Sequence, residues 1–570
     1  MASSSVGERL RVAGFVGKAA ARKLRAVATA PLGLATRWRF TSPDRLLIAP
    51  QDIRTTDPTI ANDIYAGYFN FSGKIVNAHG ASPFEVDSPS AEWAAALHGF
   101  SWLRHLRAAD TPLSRANARA LVQEWIAARG RVDSGPGWDA GVASRRMLSW
   151  LSQSPLVLDG ADRAFYRRFM KSLGWHARFL QRAVAASSDG RDRLTALIAL
   201  TQLGLCAQGM DRLQRRASRL LAQELTKQIL PDGGHIGRCP QSIVDLLLDL
   251  LPLRQAFVAR SVQVPPALIN SIDRMMPMLR LYRHADGSLA LFNGMGVTAP
   301  DTVATVLAYD DARAAPLSNA PHSGYQRIEA AGSVLIMDAG RPPPPAFSSR
   351  AHAGTLAFEF SADGHRIFVN CGAPASGRDG LTLAARSTAA HTVLVVSDTN
   401  SSRIGARPSA VNGLIVAGPS SVPVTRREDA LGASVEASHD GYERRFGLIH
   451  TRSLSLSRDG GRLTGEDRLS RSGRKAAGAG EFAIRFHLHP LIRVARSGEH
   501  EGAPLALITP DGDAWLFQAE GLLVEVEESI FFASPNGARA AQQLVIAGRA
   551  GQTPDVRWSL TRDLGETDPE

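Results

Sequence analysis

Residues 350–393 decide the fold. They open Arg350-Ala351-His352-Ala353-Gly354, pass into Leu356, Phe358 and Phe360 at alternate positions, and turn at Asp363-Gly364. They resume as Arg366-Ile367-Phe368-Val369-Asn370-Cys371-Gly372 and close with Arg386-Ser387-Thr388-Ala389-Ala390-His391-Thr392-Val393. Apolar residues at every second position share one face of a strand. An Asp-Gly pair between two such runs is a strong two-residue hairpin signal. The stretch predicts antiparallel strands with a histidine near each end.

Period two continues on both sides. Strands are expected around 325–336, 356–360, 367–369, 393–396, 454–456, 482–488, 515–517, 523–526 and 544–546, divided by turns such as Asp459-Gly460-Gly461 and Pro510-Asp511-Gly512. That many short strands indicate an antiparallel sandwich. The prolines at 342–345 cannot join a ladder and read as a surface crossing. In 482–488, Phe482, Ile484, Phe486 and Leu488 share one face, while Arg485, His487 and His489 share the other and read as solvent-exposed, with a face lining the cleft as the alternative.

Before about residue 299 the period is helical. Trp93, Leu97, Phe100 and Leu103 recur at helical spacing, as do Leu194, Leu197, Ile198 and Leu205, and Ile243, Leu246, Leu247 and Leu250. Short punctuation, as in Pro231-Asp232-Gly233-Gly234, separates successive helices and suggests helical hairpins. His98, Trp102 and His105 form a stripe that helix packing explains more simply than sugar stacking.

At 570 residues, two domains are expected. No stretch reaches the roughly 18 apolar residues that a membrane span needs. Three dispersed cysteines, Cys206, Cys239 and Cys371, exclude a disulfide framework. Residues 1–40 carry eight Lys/Arg against Glu8, so this tail supplies +7 of the net +11. It lacks the apolar region of a signal peptide. It reads as a solvated basic terminus, with a basic helix on an anionic membrane surface as the alternative. The remainder is nearly neutral and has no nucleic-acid recognition motif, so no nucleic-acid partner is expected. P-loop, GxGxxG and GxSxG motifs are absent.

The motifs of 350–393 resemble the C-terminal β-domain of the heparinase II/III-type polysaccharide lyases. There the pattern runs His-Ala-Asp, a strand, a turn, Val-Asp-x-Gly, then Arg-x-Thr-x-x-His-Asn. Leu230-Pro231-Asp232-Gly233-Gly234-His235 and Ala285-Asp286-Gly287-Ser288 are similar to two loops beside that family's cleft. The resemblance implies an α+β multidomain chain: an N-terminal α/α toroid of helical hairpins followed by a C-terminal antiparallel β-sandwich. The expected division is a basic tail at 1–40, a toroid at 41–300, a linker at 301–320 and a sandwich at 321–570.

It also implies β-elimination on an acidic, uronate-containing polysaccharide or oligosaccharide. A neutraliser for the carboxylate, a base for the C5 proton and an acid for the leaving oxygen are then needed. His352 and His391 match the family's histidines and imply catalytic roles. They also imply a zinc site, although Gly354 replaces its aspartate and Asn370 stands in place of the acid of Val-Asp-x-Gly. The family's toroid Asn-His reads Asp192-Arg193 here, and its toroid tyrosine falls in Arg238-Cys239-Pro240-Gln241. The substitutes expected are His235 as base, Tyr325 as displaced acid, and Arg238, Arg193, Arg350 and Gln241 as substrate-binding residues. The alternative is a catalytically inactive glycan-binding or envelope-assembly protein on the same fold. Family resemblance points to the periplasm or cell envelope, and the missing export signal to the cytoplasm.

Overall fold

The computed structural model describes Gly14, Gly17 and residues 42–563 apart from 131–133, 187–189, 311–312, 376–378, 407–410, 474–479, 497, 499–501 and 554. The membrane or solvent role expected of residues 1–40 therefore falls outside the described residues, Gly14 and Gly17 aside.

The helical half is a double ring. Helices Ala91–Gly99, Ala140–Ser152, Arg191–Cys206 and Pro240–Ala259 pack side by side as an inner layer. Pro112–Arg129, Arg163–Ala186, Asp211–Gln228 and Pro266–Leu281 form the outer layer. Sequence sets the layer. Residues 196–206 are buried all round, which suits a helix apolar on every side. Helix Arg163–Ala186 instead buries Phe165, Phe169, Leu173, Leu180 and Val184 and exposes Arg163, Arg167, Arg168, Lys171 and Arg182. Helix starts follow local chemistry: Ser90 accepts from Trp93 N, Thr111 and Ser114 make a capping box, and Pro112, Pro240 and Pro266 open first turns.

Two antiparallel sheets make the second half. One runs in the order Val424–Glu428, Gly432–His439, Leu448–Ser457, Arg462–Arg471, Asp555–Asp563, Ala514–Ala519, Leu505–Ile508 and Arg493–Arg496. The other runs Glu525–Phe531, Arg539–Arg549, Glu481–Leu488, His365–Val369, Phe358–Ala362, Ser333–Asp338, Tyr325–Ala330 and Asn319–Ala320, with Leu394–Val396 also paired to Glu481–Leu488. Aromatics fill the space between them. Phe358 stacks on Trp558 with centroids 5.6 Å apart, and Phe486 meets Phe517 at 4.9 Å. The Asp363-Gly364 hairpin forms as expected, with φ of 46° and 84°, the positive pair that a type I′ turn requires.

Three expectations need correction. The region around 325–336 is a hairpin of two strands, Tyr325–Ala330 and Ser333–Asp338. Within the expected linker lies helix Pro300–Ala308, which packs on Pro240–Ala259. The face carrying His487 is covered: His487 is 4% exposed, with Nδ1 2.8 Å from Ser529 Oγ and Nε2 2.9 Å from the Ala389 carbonyl. The segment leading to His391 lies over it.

Candidate functional site at the domain junction

The toroid meets the sandwich through buried polar networks, and four of the eight candidate residues lie in them. His352 and His391 come together, with His352 Nδ1 2.9 Å from His391 Nε2. His391 Nδ1 is 2.7 Å from the Ser387 carbonyl, which can only accept. The network therefore assigns the proton to His391 Nδ1, and His391 Nε2 accepts from His352. Burial pushes His391 down to about 4 and, with the neighbouring His391, holds His352 well below the usual imidazole range. Both rings are neutral at pH 7.

This pair does not fit zinc. The two rings spend their facing nitrogens on each other. The third position of the family pattern is Gly354, where a Cβ would stand 2.7 Å from His391 Cδ2. The His391 ring occupies the space an aspartate would need. Asn370 offers no replacement, because its main-chain N and Nδ2 both donate to Glu359 Oε1 at 2.8 and 3.1 Å, and its Oδ1 accepts from Thr392 N. Among the described residues no group of three or more His, Cys, Asp or Glu is placed to hold a metal.

His352 N donates to Asn293 Oδ1 at 3.2 Å, which links the pair to a second cluster. Asn293 Nδ2 donates to Tyr325 Oη at 2.7 Å and Asp338 Oδ2 at 3.0 Å. Tyr325 Oη donates to the Arg238 carbonyl at 2.7 Å, and burial raises its pKa further from neutrality. Arg238 pairs with Asp338 and also donates to the carbonyls of Ser323 at 2.7 Å, Arg341 at 3.0 Å and Gly340 at 3.3 Å. All three of its nitrogens are engaged. The side chain expected to receive a sugar carboxylate is a staple between domains. Asn293 and Asp338 were missed by sequence reasoning; the only signal was Asn293-Gly294, which reads as a turn.

The toroid candidates are dispersed. His235 accepts from Gly237 N on Nδ1 and lies 3.2 Å from Gln228 Oε1 through Nε2. Burial pushes it down to about 3. It braces the loop at Pro231-Asp232-Gly233, whose Asp232 Oδ2 accepts from His322 N and Ser323 N of the sandwich. Arg193 pairs with Glu224 at 2.9 Å on the next helix. Gln241 donates to Asp245 at 2.9 Å, and the exposed Arg350 donates to the Gly294 carbonyl at 2.8 Å. In the expected stripe, Trp125 donates to His98 and Asp57 N to His105, so it is packing.

A cavity of about 690 Å³ opens beside the Arg238 cluster. Its walls are Leu230, Ile236 and Arg238 of the toroid, residues 321–324, the prolines at 342–345 and residues 415–420 of the sandwich.

Comparison with known proteins agrees with this architecture. Residues 312–559 match the heparinase II/III-like C-terminal domain. Over 550 residues the chain is 31% identical to FtsZ-localized protein C of Caulobacter vibrioides, covering 93% of this chain and 94% of that one. A crystal structure of heparinase III superposes with a TM-score of 0.71 at 15% identity, covering 94% of this chain and 89% of the other. A mutant of the heparan sulfate lyase HepC from Pedobacter heparinus gives 0.61 at 15%, covering 96% and 90%. At such identity the two structures speak for the fold alone. Together with the full-length relative and the domain match, they show that the chain belongs to the heparinase II/III-like family.

Proposed function

We propose that this protein is a glycan-binding, non-eliminating member of the family that works in cell-envelope assembly at the division site. The saturation of the domain junction carries this reading. Elimination needs a proton donor and a proton acceptor within reach of substrate. Tyr325 Oη is committed to the Arg238 carbonyl, both His235 nitrogens are engaged, and Arg238 neutralises Asp338 rather than a ligand. The cavity of about 690 Å³ lies within the range of small-molecule and saccharide sites. The FtsZ-localized relative matches along nearly its whole length, which supports a place at the division site.

The test is to titrate the full chain with acidic oligosaccharides while following absorbance in the unsaturated-uronate band. Saturable binding with no rise in absorbance is expected. Elimination is the second reading, and one feature favours it. The bonding order of the histidine pair leaves His352 Nε2 unprotonated, the form a base requires. An absorbance rise that His352→Ala abolishes would establish elimination and overturn the first reading.

A further inference from the structure

The toroid contains a second charged region, apart from the histidine pair, whose lining includes one residue of the family-motif positions, Gln241. At the inner mouth of the ring, Asp249 takes Arg145 bidentately at 2.7 Å on both oxygens and Arg54 at 2.6 Å. Arg54 also reaches Asp52 at 3.4 Å. Arg104 stands beside these groups and feels the charges of Asp52, Arg54 and Arg145. Three guanidiniums therefore face two carboxylates, an excess of one positive charge.

Arg104 carries the excess. Its Nε donates to the Thr55 carbonyl at 2.9 Å and its Nη1 to the Ser101 carbonyl. Among the described residues no carboxylate lies within ion-pair distance of it, and its Nη2 makes no hydrogen bond. Burial lowers its pKa, so the charge is partly stripped of water without a counter-ion. Such a cation is stabilised by any anion that reaches it.

A cavity of about 210 Å³ gives that access. Arg104 and Arg54 line it together with Thr55, Thr298 and Thr302, and the Thr55 and Thr302 hydroxyls lie 3.4 Å from each other. Thr298 Oγ1 already accepts from Leu289 N, so its own proton is free to point inward. The single acid on the wall is Asp245, and both of its oxygens are taken, by Gln241 and by Arg191. The cavity thus offers donors and positive charge, in a space suited to one small group rather than a polysaccharide chain.

We infer that this cavity is a receptor for a small oxyanion, a carboxylate or a phosphate group, held by Arg104 with help from the Thr298 hydroxyl. The site is separate from the junction cavity and does not rest on the reading of that cavity given above. An acidic sugar would bring the carboxylate and free phosphate the phosphate group, and the arms of the test tell them apart.

The experiment is equilibrium titration of the full chain with glucuronate, with inorganic phosphate and with glucose as a neutral control. Glucuronate or phosphate binds, glucose does not, and Arg104→Gln weakens the anion by about tenfold to a hundredfold, the loss expected for a charge-assisted hydrogen-bonded contact. Thr302→Glu serves where Arg104→Gln does not fold. It sits in the first turn of Pro300–Ala308, where an acid is tolerated, and its carboxylate occupies the site from within the chain, so added anion no longer binds. Equal binding of glucose, no binding of either anion, or anion binding unchanged in both variants overturns the inference. Oligosaccharide binding that survives Arg104→Gln leaves the junction reading intact, so the two can fail separately.

Discussion

Removing Asp338 is expected to unfasten the two domains. Arg238 and Asp338 come from different domains and are 6% and 3% exposed. In Asp338→Ala the guanidinium keeps its carbonyl partners and loses the one counter-charge it has among the described residues. Breaking a buried pair from one side leaves an uncompensated charge, which costs about 3–5 kcal/mol. Replacing both partners with apolar residues removes that charge, so Arg238→Met/Asp338→Leu should lose markedly less than the two single changes summed. The chain has two domains, so a two-state treatment is unsafe and each domain needs its own probe. Tryptophan fluorescence reports chiefly on the toroid, which holds Trp93, Trp102, Trp125, Trp138, Trp150 and Trp175 against Trp515 and Trp558 in the sandwich. Far-ultraviolet circular dichroism follows both domains. Urea titration of Asp338→Ala should separate the two transitions and move the earlier one to lower denaturant. Unchanged, coincident transitions would refute the reasoning, and so would a double variant as unstable as the sum of the singles.

Three further outcomes follow from the same contacts. Asn370→Asp restores the family's acid but sets a second carboxylate about 3 Å from that of Glu359; it should cost roughly 3 kcal/mol in urea titration at pH 7, a loss that shrinks as pH falls and the pair takes up a proton. Gly354→Asp should destabilise by about 1–3 kcal/mol through its clash with the His391 ring, and elemental analysis should find no zinc retained. His391 and His235 have folded pKa values of about 4 and about 3, below the unfolded value near 6.5. The unfolded chain therefore binds more protons, so stability is full above pH 6.5 and falls as pH drops toward 4. Each such histidine should contribute up to about 1.4 kcal/mol per pH unit, and His391→Gln should flatten the urea-derived slope by that amount.

The fold was legible because its signals are local. Asp363-Gly364 needs two positive φ angles and has them, and Phe482, Ile484, Phe486 and Leu488 face the aromatic layer as their spacing requires. Strands such as Val424–Glu428 and Arg462–Arg471 escaped notice because charge and glycine interrupt the apolar alternation. Gly465 is small for a tertiary reason: a Cβ there would lie 2.1 Å from the Trp558 ring. The site was less legible for the same kind of reason. Residue type marked His352, His391, Tyr325 and Arg238 as able to move protons or hold anions. Partners decided what they do, and these lie far along the chain: Asp338 is 100 residues from Arg238, and Arg104 is marked by the absence of any carboxylate partner.

The departures from the family motif make sense together. Glu359 is a buried carboxylate on a sandwich strand, and His284 of the toroid reaches it at 3.0 Å while its other nitrogen meets Ser361 at 2.8 Å. With that carboxylate in place, residue 370 has to donate rather than accept, which an asparagine does and an aspartate does not. With Gly354 in place, His391 can enter the space beside His352 and bond to it directly. Arg327 then ties the first long strand to the Leu281 and Arg283 carbonyls, and Arg238 ties the opposite loop to Asp338. The substitutions at 354 and 370 exchange a group that would face a ligand or metal for contacts within the sandwich, while Arg327 and Arg238 bond across the domain boundary. At the junction that the family motif would devote to chemistry, Arg238, Asp338, Tyr325 and Asn293 are here engaged with one another in buried contacts. Such contacts favour one rigid arrangement of the two domains, and that rigidity would serve a binding surface better than a reaction that must open and close around its substrate.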